Sequence, residues 1–434
     1  MAFALAGKGD FRPPIDVSFF DSRLSESRAL FERALQVVPG GIYGHTSPAA
    51  GLPGVFPYFA ESAEGCRFTD VDGNVYLDFM CGFGPIVLGY RHPEVEEAAA
   101  EAKAKGNLYN QPSRGFVELA ELLVERVDFA DWAVFGKNGS DVTTWALQVA
   151  REATGRKKIL MLKGAYHGVD AWCAPGYGGI IEEDREHIHR FGWNDPASLC
   201  GMLESLSGQV AAVFVTPYHH PSFAPSEMPE NNFLSLVQKE CNSRGIVMIL
   251  DDIRTGFRLH SGGSHRSFGF EPDIACYCKA LANGFPISAA VGRNALKAAA
   301  AKVFLTGSYW NNADAMAAAK VCLQIIEREN VPAKIEAMGN RLCRGLIEQA
   351  ARNGFALQCT GPRAAPYPFF KEDRDLRVMQ EFCTKAVRKG AFFHPHHNWF
   401  LSAAHDEASI DEAIAIASEC FSEMRPSETV KESA

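Results

Sequence analysis

Four short stretches carry residue types that could do chemistry together. In FGKNGSD, Gly139 and Ser140 stand between an apolar strand and a helix. Main-chain N–H groups and a hydroxyl then face outward at the positive end of the helix dipole, an arrangement suited to an anion. In KGAYHGVD, Tyr166 and His167 follow a strand directly and offer an aromatic face to a flat heterocycle. The stretch GIVMILDDIRTGFR ends an apolar run in Asp251 and Asp252, and a carboxylate buried there needs a cation or several hydrogen bonds. In PDIACYCKALANGFPISAA, Lys279 sits among apolar and small residues, where desolvation lowers the pKa of an amine and makes it nucleophilic. Each feature alone also fits a plainer reading: a helix cap, a packed Tyr-His pair, a lysine snorkelling to the surface.

Together the four match one chemistry. Pyridoxal 5'-phosphate requires a lysine for its Schiff base, an acid opposite its pyridinium nitrogen, a phosphate cradle and a sandwich for its ring. On this reading the pyridinium compensates Asp251, and Asp251 keeps the ring nitrogen protonated so that the ring accepts electrons.

The elements that must position these groups follow from the hydrophobic rhythm. The stretch SESRALFERALQVVPGG predicts a helix stopped at Pro39, and the alternating runs broken at Asp72-Gly73 predict an antiparallel hairpin or meander. Beyond HPEVEEAAAEAKAK, the apolar runs WAVFG, KILML, VAAVFV and IVMIL alternate with helical segments. That alternation predicts an α/β protein with a mostly parallel sheet and helices on both faces, whose ligands sit at the carboxyl ends of the strands. A strongly helical stretch from about residue 314 leads to a C-terminal region in which FALQCTG, PYPFF and GAFFHPHHNWFLSAAH supply strands. The final RPSETVKESA reads as disordered.

Composition narrows the partners. The 434 residues carry a formal net charge of -9, are 47% hydrophobic and 22% charged, and lack the clustered Lys/Arg of a nucleic-acid or anionic-membrane binder. No signal segment or transmembrane run is evident, which points to a cytoplasmic protein. The twelve cysteines form no paired framework, and the one close pair, Cys276 and Cys278, lacks the spacing of a metal site. His394, His396 and His397 are irregularly spaced with no carboxylate beside them, so a structural or substrate-rim role is expected and no metal. No GxGxxG opens a βαβ unit, which disfavours a nicotinamide enzyme.

The order DFMCGFGPIVLGYRHPEV, NGSD, YHG, DDIRTGFR, PDI followed by CKALANGFPISA, and LSAAH resembles the class III aminotransferases of fold type I over nearly the whole chain. The interval 279 − 251 = 28 between Lys279 and Asp251 fits that layout. The resemblance implies a seven-stranded large domain over residues 81–328, with an N-terminal arm and part of a small domain over 1–80, the rest of the small α+β domain over 329–425, and a tail over 426–434. It implies Lys279 as the cofactor-bearing lysine and proton shuttle, with Asp251 on the ring nitrogen. Tyr166 and Ile253 would cover the two ring faces, with His167 beside them, and Gly139 and Ser140 would hold the phosphate. Ser308 would reach the phosphate in a neighbouring subunit, so a homodimer with shared sites is expected.

Departures narrow the substrate. The outline is similar to that of the glutamate-1-semialdehyde aminomutases, but PGGIYGHTSPAAG lacks the arginine by which they grip the substrate carboxylate. Asp252, Thr216 in VTP and the sequence SYW are further departures. With GGIYGH, KGAYHG, TGSYWN and HPHHNWFLSAAH, they resemble the fumonisin aminotransferase subgroup, which implies an amine donor of long-chain, aliphatic or amino-alcohol type and a 2-oxo acid acceptor such as pyruvate. Tyr43, His45, Tyr309 and Trp310 are candidates for an aromatic substrate wall and equally for a dimer interface. An aminomutase or a racemase is the alternative within the cofactor class, and a non-catalytic cofactor-binding homologue is the alternative outside it.

Overall fold

The computed structural model describes residues 21–44, 54–176, 178–221 and 224–424. After helix α1 (Ser25–Val37), three short strands, β1 (Ala60–Glu64), β2 (Arg67–Asp70) and β3 (Val75–Asp78), form the expected antiparallel meander. Helices α2 (Pro93–Ala104) and α3 (Arg114–Arg126) lead to β4 (Trp132–Gly136). There follow α4 (Gly139–Thr154), β5 (Lys158–Leu162), β6 (Ile188–Phe191), α5 (Pro196–Ser205), β7 (Val210–Val215), α6 (Phe233–Arg244) and β8 (Val247–Asp251). Next come the single turn α7 (His265–Phe268), β9 (Ile274–Tyr277), β10 (Ser288–Gly292), α8 (Lys297–Lys302), α9 (Ala313–Arg328) and α10 (Val331–Arg352). The chain ends in β11 (Leu357–Thr360), β12 (Tyr367–Phe370), α11 (Arg377–Arg388), β13 (Ala391–Phe392) and α12 (Glu407–Glu423).

A seven-stranded sheet has the order β4-β10-β9-β8-β7-β5-β6, parallel from β9 to β6, with β10 antiparallel to both of its neighbours. The exception has a geometric cause. A parallel partner needs a crossover of about a dozen residues or more, whereas the loop from β9 to β10 is short enough only for a reversal. Lys279 lies in that loop, so the reversal keeps it at the carboxyl end of β9.

Alternate residues of the central strands enter two separate cores. Leu160, Val213, Met248, Leu250 and Tyr277 join one, whereas Ile159, Ala212, Phe214, Ile249 and Cys276 join the other. Both faces are apolar because helices cover both: α5, α6 and α9 lie on the first, and α4 lies on the second through Val142, Trp145, Ala146 and Val149. Helix α10 buries Ile335, Leu342, Leu346 and Ala350, the apolar stripe of a 3.6-residue period.

A second, four-stranded sheet of order β1-β2-β3-β13 joins the two ends of the chain, since β13 lies parallel to β3 with Ala391 opposite Leu77 and Phe392 opposite Asp78. The expected C-terminal strand is much shorter than GAFFHPHHNWFLSAAH suggests. Pro395 has no N–H for a ladder, and beyond Phe392 the chain runs irregularly towards the first sheet.

Candidate active site

The strand ends converge. Asp251 closes β8 opposite Cys276 of β9, and Lys279 follows three residues beyond Cys276. Lys279 occupies the left-handed region at φ 40°, a strained conformation for a side-chain-bearing residue. Its ammonium donates to the Phe83 carbonyl at 2.7 Å, in a turn where Cys81, Gly82, Phe83 and Gly84 also have positive φ. Burial, reinforced by the nearby Arg254 and Arg258 cations, lowers the Lys279 pKa to about 7. The amine is therefore held at a strand end and is substantially neutral near neutral pH, contrary to the snorkelling alternative.

Asp251 is 6% exposed. It meets His167 Nδ1 at 2.8 Å through Oδ2 and accepts the Ile253 N–H at 3.2 Å through Oδ1. His167 is 1% exposed, its carbonyl accepts from Thr143 Oγ1 at 2.8 Å, and its ring lies parallel to Trp172. The sequence reading places His167 beside the cofactor ring; the structure places it on the carboxylate, where it orients Asp251. Tyr166 is half-buried within electrostatic reach of Asp251 and Arg254, and burial raises its pKa.

The start of α4 offers an anion cradle. Asp141 accepts the N–H groups of Lys137 and Asn138 at 2.9 and 2.8 Å, while those of Gly139 and Ser140 meet no acceptor among the described residues. Ser140 Oγ accepts from Val169 N at 3.1 Å, which leaves its own proton to donate. A Cβ at position 139 would lie 2.5 Å from Ile253 Cδ1, so the absence of a side chain lets Ile253 approach the helix start. Strand β8 ends at Asp251, and Ile253 comes to the start of α4 through the turn that follows.

Asp252 takes the opposite face and is fully buried. It accepts from Thr255 Oγ1 at 2.9 Å and from Ser264 N at 2.8 Å, and its carbonyl accepts from Gly256 N at 2.7 Å. It therefore pins the loop after β8, a role that the sequence left unassigned. Burial raises its pKa to about 7. Thr216 spends its hydroxyl on the Tyr218 carbonyl at 2.8 Å.

Other expected residues stay apart from this cluster. Ser308 and Tyr309 are exposed, Tyr309 at 67%, and the Trp310 ring folds back over Gly307. Among the described residues no hydrogen bond, ion pair or ring contact joins these three to Lys279. Tyr43 is 71% exposed, and His45 lies outside the described residues.

Sequence reasoning missed two arginines inside the quoted stretch DDIRTGFR. Arg258 is fully buried, donates to the carbonyls of Leu401 and of Gly84, the latter at 2.6 Å, and lies over the Phe400 ring. It ties the C-terminal irregular segment to the turn that holds Lys279. Arg254 reaches Asn398 Oδ1 and lies 3.3 Å from His397 Nε2. Their only signal in the sequence is proximity to a buried acid, which does not tell a buried arginine from a solvated one. The histidine cluster is bound into the fold, with His394 Nδ1 accepting from His396 N at 3.1 Å, His396 beside Gln380, and His397 on the Asn398 carbonyl at 2.6 Å.

The arrangement resembles known proteins throughout. The family model "Aminotransferase class-III" matches residues 50–417. The chain is 41% identical over 398 residues to the aminopentol aminotransferase of Sphingopyxis macrogoltabida, covering 92% of this chain and 94% of that protein. It is 34% identical over 408 residues to the 3-aminobutyryl-CoA aminotransferase of Cloacimonas acidaminovorans, covering 93% and 98%. The structure of the PLP internal aldimine form of the FumI protein of Sphingopyxis sp. MTA144 superposes with a TM-score of 0.90 at 41% identity, covering 92% of this chain and 96% of that one. The chain belongs to the class-III aminotransferases, pyridoxal-phosphate enzymes with the fold-type-I architecture.

Proposed function

We infer that the protein moves an amino group from an amine of aliphatic or amino-alcohol type to a 2-oxo acid such as pyruvate, using pyridoxal 5'-phosphate. The observation that carries this reading is the convergence of a desolvated Lys279, the His167-braced Asp251 and the open N–H groups of α4 at the ends of adjoining elements. Bound there, the cofactor supplies an electron sink for the bond broken at the substrate carbon. Gly139 and Ser140 would hold its phosphate with two N–H groups and a hydroxyl. Asp251 would hold the proton on the ring nitrogen, and His167 holds Asp251 in place. Tyr166 and Ile253 would cover the ring. Lys279 would hold the cofactor through its amine and would act as the base that takes the proton from the substrate carbon.

The missing arginine after Pro39-Gly40-Gly41 supports a donor without a carboxylate beside its amine, in place of an aminomutase substrate. Two relatives at 41% and 34% identity are named for an amino polyol and an amino acyl thioester, neither a free amino acid, and this agrees. We place the domain divisions at residues 81 and 329, with a homodimer that shares sites and resides in the cytoplasm. Exposed Tyr43, Tyr309 and Phe304, at 71, 67 and 84%, support an interface, and twelve unpaired cysteines support a reducing compartment. Among the described residues no helix is long and apolar enough to cross a membrane.

The test is a spectrum and a donor screen. The purified protein should show a visible band that is removed by borohydride and absent from Lys279→Ala. Aliphatic amines and amino alcohols should turn over with pyruvate. A donor requirement for a free α-carboxylate, or product formation with no 2-oxo acid present, would replace this reading with the amino-acid or aminomutase one.

A further inference from the structure

Arg254 is a cation positioned but not neutralised. His397 meets the Asn398 carbonyl at 2.6 Å through Nδ1, so the proton sits there and Nε2 remains an acceptor for Arg254 at 3.3 Å. Its second partner is the neutral amide oxygen of Asn398. No carboxylate among the described residues forms an ion pair with Arg254. Among the described residues, the carboxylate in its electrostatic surroundings is Asp251, whose oxygens are engaged by His167 and the Ile253 N–H.

The remaining neighbours are neutral and underused. Burial and the arginine itself push the pKa values of His220 and His397 far down, so both stay neutral beside it. Tyr218 is fully buried, and among the described residues neither its hydroxyl nor His220 Nδ1 has a hydrogen-bond partner. Both lie within electrostatic reach of the Arg254 guanidinium, which in turn is felt at Lys279. A guanidinium with unspent donors, an idle buried hydroxyl and the reactive amine thus share one site. A planar carboxylate accepts a fork of two N–H groups from such a guanidinium and has lone pairs left to accept a hydroxyl proton.

We propose that Arg254, held by Asn398 and His397, binds the carboxylate of the 2-oxo acid acceptor and so provides the anion site missing from the segment after Gly41. This rests on the aminotransferase reading and deepens it. One enzyme then takes a donor with no carboxylate at its amine carbon and an acceptor that has one. The two half-reactions use different walls, and only the second uses Arg254.

The experiment loads wild type, Arg254→Gln and Arg254→Lys with cofactor, converts each to the amino form with a working amine donor, and follows return of the visible band with pyruvate or with acetaldehyde. Acetaldehyde keeps the carbonyl and lacks the carboxylate. The expected result is a loss of about 10²-fold in kcat/KM for pyruvate in Arg254→Gln beyond any loss for acetaldehyde, carried by KM, with partial rescue in Arg254→Lys. A rise in Tm on adding pyruvate to the cofactor-loaded wild type should vanish in Arg254→Gln. Equal losses for both acceptors would overturn the proposal and assign Arg254 to loop structure. Equal losses with a displaced visible band would overturn it in favour of a contact to the cofactor's own phenolic oxygen. A wild type with no borohydride-sensitive band would instead defeat the aminotransferase reading, and this proposal with it.

Discussion

At the residue scale, Lys279 combines three conditions that seldom coincide: a left-handed backbone, a carbonyl partner at Phe83, and two nearby arginines. A lysine in water is protonated up to about pH 10 and does not attack a carbonyl. Here desolvation comes first and the cations add to it, bringing the pKa to about 7, so the neutral, nucleophilic fraction rises through neutrality. Stripped of cofactor, the protein should take up pyridoxal phosphate covalently at a rate that climbs as pH rises from about 6 to 8, read from growth of the visible band. A rate that keeps climbing only near pH 10 would mean that the amine is not desolvated. The burial of Lys279 and Asp251 at neighbouring strand ends was legible in the sequence because an amine among small apolar residues and an acid ending an apolar run are both conspicuous. Arg254 was not, because an arginine in a turn reads as solvated until its partners are known.

At the scale of elements, the loop after β8 shows how one carboxyl group organises a segment. Asp252 gathers the Thr255 hydroxyl and the Ser264 N–H, and its carbonyl receives Gly256 N, so residues 252–264 fold back over the end of the strand. Burial raises the folded pKa to about 7 against 3.8 for the free group. The folded state therefore binds the proton more tightly than the unfolded one. The stabilisation is complete below pH 3.8 and is lost as pH rises through about 7, so this group makes stability fall across that window. Denaturant midpoints of wild type and Asp252→Asn, measured from pH 4 to 8, should converge at the acid end and favour the variant at the basic end. Parallel curves would show that Asp252 does not titrate there. Sequence placed β8, β9 and the start of α4 closely, since apolar runs and Gly-Ser junctions mark them. It misjudged the stretch after Phe392, where a proline and tertiary contacts to Arg254 and Phe83 override the aromatic residues' preference for a strand.

At the scale of the whole molecule, Arg258 bonds Gly84 and Leu401, and β13 pairs with β3, so segments from both ends of the chain frame the site on the seven-stranded sheet. The segment holding Ser308, Tyr309 and Trp310 nevertheless stays exposed, as expected if its target is the site of a second copy. Two defects on different subunits then test sharing. Lys279→Ala and Ser308→Asp, each inactive or nearly so alone, should regain up to about a quarter of wild-type activity when co-expressed, because one of the two sites in each mixed dimer receives both intact residues. No recovery in isolated mixed dimers would confine each site to one chain.

The amino-acid sequence by itself determined the α/β architecture and the order of the strand ends, and it singled out Lys279, Asp251 and the Gly139-Ser140 turn as the candidates that the fold brings to those ends. Periodicity and residue type are local properties, and burial of both sheet faces leaves an apolar signature in every central strand. Only the tertiary structure decided what Asp251 and Asp252 each touch. At the end of β8 the two acids diverge, Asp251 towards His167 and Asp252 towards Ser264, and those partners lie 84 and 12 positions away. Likewise, only the fold brought Asn398 and His397, 144 and 143 positions away, onto Arg254. Whether a cation is spent depends on which acceptors surround it in space, and spacing along the chain does not encode that.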